Sequence, residues 1–245
     1  MNAYLVRIGV DQAFGGWNAP VDPATGEFVY VPIPESATEF HPTCCRRLKE
    51  FQPALEQFCS LRHIDLHADL RCDPDTFNQP IHLDPDFGYL TYGDDGSNRG
   101  AGIKTLIDGD MLVFYAGLRP VSQCGHKLLY ALVGVYVVAE VVAVPSIPPD
   151  RWHENAHTRK VKHWAHDIVV RAKTGVSGRL EKCIPIGEWR DGAYRVRNDV
   201  LEAWGGLSVK DGFIQRSAVP PSFLVPEKFS EWLRQQGVPL IERNN

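Results

Sequence analysis

Leu128–Val144 reads LLYALVGVYVVAEVVAV, and the run ahead of it, Asp110–Leu118, reads DMLVFYAGL. A membrane-spanning helix needs about 20 apolar residues. The first stretch is shorter than that and carries Glu140. Its wealth of Val and Tyr favours extended backbone, so it is read as one long buried strand or two shorter ones. Asp108-Gly109 is a turn signal before the Asp110 strand, and Pro145, Pro148 and Pro149 close the Val-rich stretch.

Working outward, residues 3–10, 27–33, 167–172 and 181–186 read as further strands. Residues 43–59 carry Leu48, Phe51, Leu55 and Phe58 at helical spacing, with Pro53 placed to kink or divide the run. Residues 63–96 read as acidic loop, 98–106 as a short helix, and 151–166 as the start of a helix capped by Asp150. A short helix over 199–204 is stopped by Gly205-Gly206. The last helix starts at Pro226, carries Phe229 and Leu233 on one face and ends at Gly237. Strands and helices do not alternate as βαβ units. The expectation is an α+β fold, with a curled mixed β-sheet or small β-barrel and peripheral helices. One domain is expected over 1–245, with loop insertions around 35–100.

The chain has 245 residues, 44% of them hydrophobic, and a net charge of −4. Proteins that hold nucleic acid by bulk charge are usually basic, so any such contact here is a local patch or a pocket. None of the six cysteines lies in a C-x-x-C pair, and the start MNAYLVRIGVDQAFGG has no basic region followed by a long apolar run. Reduced thiols, a cytoplasmic location and no membrane contact are expected. There is no G-x-S-x-G and no cysteine in a nucleophile signature, so serine and cysteine hydrolases find no support.

Several strings could carry chemistry. His153-Glu154-Asn155-Ala156-His157 matches H-E-x-x-H, which on a helix would set His153 and His157 on one face for zinc with Glu154 as general base. It runs into Thr158-Arg159-Lys160, and nothing downstream nominates a third ligand. His63-Ile64-Asp65-Leu66-His67 is a second metal-like run, for which a solvated polar loop is the plainer reading; His163 and His166 form a weaker pair. No other metal ligand and no cofactor is nominated. From Arg151 to Lys173 six basic residues face two acids, with Trp152 and Trp164 interleaved. That mixture suits phosphate and base stacking, and equally a solvated face over core tryptophans. Gly15-Gly16-Trp17-Asn18 is a turn whose glycines permit close backbone approach to a ligand, without matching a phosphate-loop pattern. Thr91-Tyr92-Gly93-Asp94 joins a ring and a carboxylate in a second turn.

Two resemblances attach to these residues. Gly109-Asp110-Met111-Leu112-Val113-Phe114-Tyr115, followed by Leu132-Val133-Gly134-Val135 and onward to Val142, resembles the strand pair at the centre of EVE and PUA-like barrels. That resemblance implies a small curled barrel that binds RNA or modified DNA bases in an aromatic pocket. Over roughly residues 3 to 235 the chain resembles the third type of nucleotide-modification-associated domain, a bacterial and phage group. The segments that carry this are Val10–Pro20, Leu83–Phe87 with Leu90–Asp94, Gly109-Asp110, Asn155–Arg159 and Ser177–Leu180. It implies a setting in DNA base modification rather than a defined reaction.

The resulting expectation is one pocket. Gly15, Gly16, Trp17, Asn18, Tyr92, Asp94, Phe114, Tyr115, Asn155 and Ser177 would hold and read a base, with Arg159 and Arg179 taking its phosphate. The partner would be DNA or a nucleotide, possibly modified, with RNA equally compatible; no protein partner is indicated. An enzyme in the same pocket would use His157 as acid or base with Asp11 or Asp94 as its carboxylate. The third reading is zinc hydrolysis through His153, Glu154 and His157.

Overall fold

The computed structural model describes residues 1–35, 39–97, 100–215 and 219–245. Its centre is the strand pair that the apolar runs predict: β6 (Met111–Pro120) lies antiparallel to β7 (Leu129–Ala143), a single 15-residue strand. Ahead of them come β1 (Ala3–Arg7), β2 (Pro20–Val21), β3 (Ile33–Pro34), α1 (Gln52–Leu61), β4 (Ile81–His82) and β5 (Thr91–Asp94). After them come β8 (Ile168–Ala172), β9 (Gly178–Pro185), β10 (Gly187–Arg190), β11 (Ala193–Val196), α2 (Asn198–Ala203), α3 (Pro226–Gln236) and β12 (Leu240–Ile241).

The main sheet runs β1-β6-β7-β8-β5, with β1 parallel to β6 and the other neighbours antiparallel. β7 is long enough to serve two partners: its first half pairs β9 and its second half pairs β8. Register shifts fall at Phe114/Tyr115, Leu132/Gly134 and Val138/Glu140, where an extra residue bends the ladder. No pairing among the described residues joins β5 to β1, so the sheet is mixed and large but not a closed barrel. The barrel expectation is corrected on that point. A strand shared by two partners lets the sheet branch instead of closing.

Alternation along the strands builds two cores. Leu112, Phe114, Ala116 and Leu118 enter the core formed with Val6, Trp17, Phe51, Leu55 and Phe87. Met111, Val113 and Tyr115 enter the opposite core, with Trp204, Phe223 and Phe229. Successive residues of a strand point to opposite faces, so Phe114 and Tyr115 cannot line one pocket.

Local departures have local causes. Pro53 sits in the first turn of α1 rather than inside it, so the helix begins after the 3-10 turn Leu48–Glu50. The segment read as loop, 63–96, contains β4 and β5, and both Asp84 and Asp86 within it are buried. Of the helix expected over 98–106, Asn98 and Arg99 lie outside the described residues, and Ile103–Thr105 forms a 3-10 turn. Residues 151–166 form no α-helix: a 3-10 turn over Pro149–Glu154 ends with Asn155 extended. α3 meets its sequence signals, with Pro226 in its first turn and Gly237 left-handed at φ 64°. No helix among the described residues is long and apolar enough to cross a membrane.

Candidate functional site

A cleft of about 870 Å³ opens where the end of β1, the Asp11–Phe14 loop, β4, β5, the start of β7 and the His157 turn meet. Five residues nominated from sequence line it together: Asp11, Asn18, Tyr92, Asp94 and His157. Arg7, Phe14, His82, Asp84 and Asp95 line it as well.

The deep end is built from distant segments. His82 and Asp84 flank Leu83 at the end of β4, where extended backbone places alternate residues on one side. Asp84 accepts from Gly93 N at 2.8 Å and 2.9 Å through its two oxygens, and from Asn155 Nδ2 at 3.2 Å. The Asn155 Oδ1 in turn accepts from His157 N at 2.9 Å, which folds the chain back and delivers His157. Gly93 is required by this approach, because a methyl there would collide with the His157 ring and the Asn155 amide oxygen. His82 Nε2 and His157 Nε2 each stand 3.7 Å from Asp84 Oδ2.

Carboxylates also hold the far sides of both rings. His82 Nδ1 lies 2.7 Å from Glu35 Oε2, which also meets Lys160 Nζ at 3.1 Å. His157 Nδ1 lies 3.5 Å from Asp167 Oδ1. The carboxylates within ion-pair distance of His157 are thus Asp84 and Asp167, while Asp94 acts on it only through the field across the cleft.

Burial sets the protonation. Loss of water pushes the Asp84 carboxyl up to about 7, against the opposing pull of His157 and of the Gly93 and Asn155 donors. The same cause lowers His82, partly offset by Glu35. It raises Asp94, with Gly96 N–H opposing and Asp95 adding to the rise. It also raises the Tyr92 phenol, with Asp94 and Asp84 adding. Asp167 is buried too, but the His157 ring and Trp164 N–H outweigh that and hold its carboxyl below the usual range. Donors N, N and O converging in a cleft form a set that could hold a divalent ion.

The opposite wall is the Asp11 loop. Asp11 accepts from Ala13 N and Phe14 N and pairs with Arg7 Nη2 at 2.7 Å. Gly15 and Gly16 adopt φ of 106° and 78°, so their role is the left-handed backbone of this loop; neither lines the cleft. Asn18 is anchored through Nδ2 to Gly117 O at 2.7 Å. Phe14, which the sequence reading passed over, is 59% exposed at the cleft, whereas Trp17 is 2% exposed in the core. Exposure of an aromatic in a glycine-bearing turn is not legible from residue type alone.

The remaining nominated residues are placed elsewhere. Phe114 packs on Phe87, Tyr92 and Tyr136, and Tyr115 donates its hydroxyl to Ile214 O at 2.8 Å on the opposite face. Ser177 Oγ accepts from Val137 N at 2.9 Å. Arg179 lies under the Phe28 ring and is buried enough to have its guanidinium lowered to about 10. Arg159 is buried against Asp86 and the His153 carbonyl. None of these three polar residues lines the cleft.

The zinc reading through His153 is also corrected. Without an α-helix the two histidines do not share a face. Glu154 is buried and bound by Arg151 at 2.7 Å and Arg171 at 2.7 Å, and the His153 ring packs edge-on against Tyr89. The interleaved tryptophans split: Trp152 stacks on His41, and Trp164 is 77% exposed.

Residues 2–212 match the family model described as nucleotide modification associated domain 3, which spans most of the chain. No curated protein and no solved structure is significantly similar to it. The chain belongs to the nucleotide modification associated domain 3 family.

Proposed function

We propose that the cleft binds a nucleotide unit bearing a modified base, free or within DNA, and acts on it chemically at its deep end. One observation carries this reading: the Asp11 loop, Tyr92, Asp94 and the His82–Asp84–His157 cluster, drawn from four distant segments, face a single cleft. Family membership supplies the nucleotide setting. Phe14 offers an exposed ring for a base, while Asp94 offers a carboxyl group to its edge.

Catalysis is favoured over simple reading by what lies at the floor. A base reader needs donors, acceptors and a stacking face. Burying Asp84 beside two histidines, themselves backed by Glu35 and Asp167, is costly unless the groups are used. Asp94, held up by burial on the cleft wall beside Tyr92, is placed to give or take a proton.

Fluorescence anisotropy against short duplexes with and without modified cytosines and guanines, and against free nucleotides, tests binding. Mass spectrometry of the same mixtures tests chemistry. The expected result is a preference for one modified ligand that survives near-physiological salt, with a product lost in Asp94→Asn and His157→Ala. Binding that disappears with salt and has no base preference would overturn the reading. An unchanged ligand after prolonged incubation would reduce it to a reader.

A further inference from the structure

We infer that His82, Asp84 and His157 form a binding site for one divalent transition-metal ion, open on its remaining side to the cleft. This deepens the reading above by naming a cofactor for the same site. Its test uses no nucleotide, so each fails separately.

Three side chains point their donor atoms at one place. Both imidazole Nε2 atoms lie 3.7 Å from the same Asp84 oxygen, and one ligand atom from each of the three residues falls within 4.8 Å of the others. A separation of 3.7 Å is beyond hydrogen-bond length, so mutual bonding does not explain the convergence. With metal–ligand bonds of roughly 2.0–2.2 Å, two ligands on one ion stand about 3 to 4 Å apart, which does explain it.

The surroundings orient each group for this task. Glu35 lies 2.7 Å from His82 Nδ1, and Asp167 lies 3.5 Å from His157 Nδ1. At His82 the Glu35 acceptor on Nδ1 places the ring proton there and leaves the Nε2 lone pair facing the shared point. Asp167 Oδ1 is buried without a hydrogen bond of its own, so orienting His157 is its available role. Gly93 N and Asn155 Nδ2 fix the Asp84 carboxylate from behind.

Charge points the same way. The cleft is lined by Asp11, Asp84, Asp94 and Asp95, with Arg7 alone among the described lining residues carrying a permanent positive charge. A phosphate-bearing ligand entering that field is repelled, and a bound cation reverses the sign at the floor. Two imidazoles and one carboxylate select zinc, manganese, iron(II) or cobalt rather than calcium or magnesium. Three protein ligands leave positions for water or substrate, as catalytic centres require.

The test is calorimetric titration of chelator-stripped, full-length protein with Zn²⁺, Mn²⁺ and Co²⁺ separately. One saturable equivalent is expected for at least one ion. His82→Ala and His157→Ala should each weaken it more than about 100-fold, exceeding the roughly 10–100-fold typical of residues that only orient a ligand. His153→Ala should bind as wild type does. If circular dichroism shows that either alanine variant fails to fold, Glu35→Gln replaces it, with a loss of about 10–100-fold expected. No saturable binding by wild type, or wild-type affinity in the His82, His157 or Glu35 variants, overturns the inference. Saturable metal binding without nucleotide affinity would support it while sinking the reading of the cleft as a nucleotide site.

Discussion

Arg159 and Asp86 form a buried ion pair, Nη2 to Oδ2 at 2.6 Å, with side chains 3% and 1% exposed. Arg159 also donates to the His153 carbonyl at 2.8 Å, and Asp86 accepts from Asn244 Nδ2 at 3.0 Å and Gly88 N at 3.1 Å. The pair therefore ties the segment after the 3-10 turn to the Pro85–Thr91 loop. Removing one partner leaves the other charge without compensation in a site from which water is excluded. Arg159→Ala is expected to lose about 3–5 kcal/mol of stability in urea unfolding. Its folded fraction should keep the nucleotide affinity of wild type, because the guanidinium does not reach the cleft. A variant that melts like wild type but binds poorly would return Arg159 to a role in phosphate contact.

Phe14 and Trp17 lie three positions apart and should behave oppositely. Phe14 is 59% exposed and lines the cleft, so Phe14→Ala should leave stability within about 0.5 kcal/mol of wild type. If a base stacks on it, affinity should fall by about 1–3 kcal/mol, roughly 5- to 150-fold. Trp17→Ala empties a fully packed core position and should cost about 3–5 kcal/mol in unfolding. Paired melts and anisotropy titrations separate the two. Equal effects on both readouts would mean that the Asp11 loop is misassigned.

Gly93→Ala is expected to detach the deep end of the cleft while leaving the sheet in place. The added methyl meets the His157 ring and the Asn155 amide oxygen, so His157 must leave the Asp84 carboxylate. Overpacking of this kind costs about 1–3 kcal/mol, which a thermal melt would read. Metal or ligand binding at the floor should drop with it. Retained binding would show that the turn relaxes without moving His157.

The parts of this protein that are legible in sequence are those set by neighbours in the chain. The β6 and β7 strands follow from their Val- and Tyr-rich runs, and α3 follows from Pro226 and Gly237, because each signal acts within its own element. The floor of the cleft was not legible. His82 and Asp84 sit in an acidic, proline-punctuated stretch that resembles solvated loop, and only the return of the chain at Asn155 brings His157 to them. His153-Glu154-Asn155-Ala156-His157 misled for the converse reason. Its spacing has meaning only on an α-helix, and Glu154 is drawn instead to Arg151 and Arg171, the latter on β8. Strand alternation was available from the start and forbids placing Phe114 and Tyr115 in one pocket.

Asp110 gives the fold a pH dependence whose sign can be worked out. Burial raises its carboxyl, but donors from Asn2 N at 2.7 Å, Ile107 N at 3.0 Å and Asn2 Nδ2 at 3.2 Å outweigh that and hold it below the ordinary value. The folded state therefore binds this proton less readily than the unfolded chain does, whose Asp titrates near ~3.9. A depressed carboxyl contributes stability that is fully present above the unfolded value and is lost as pH falls through the folded one. Asp110→Asn turns one of the acceptors toward these donors into an N–H group, and it should cost roughly 1.5–3 kcal/mol at neutral pH. The gap between variant and wild type should hold from pH 7 down to about 5 and narrow below about 4, as the wild-type carboxyl is protonated. Urea midpoints measured across that range decide it. A gap that stays constant to pH 3 would mean that the anionic charge contributes nothing and that Asp110 acts through its shape alone.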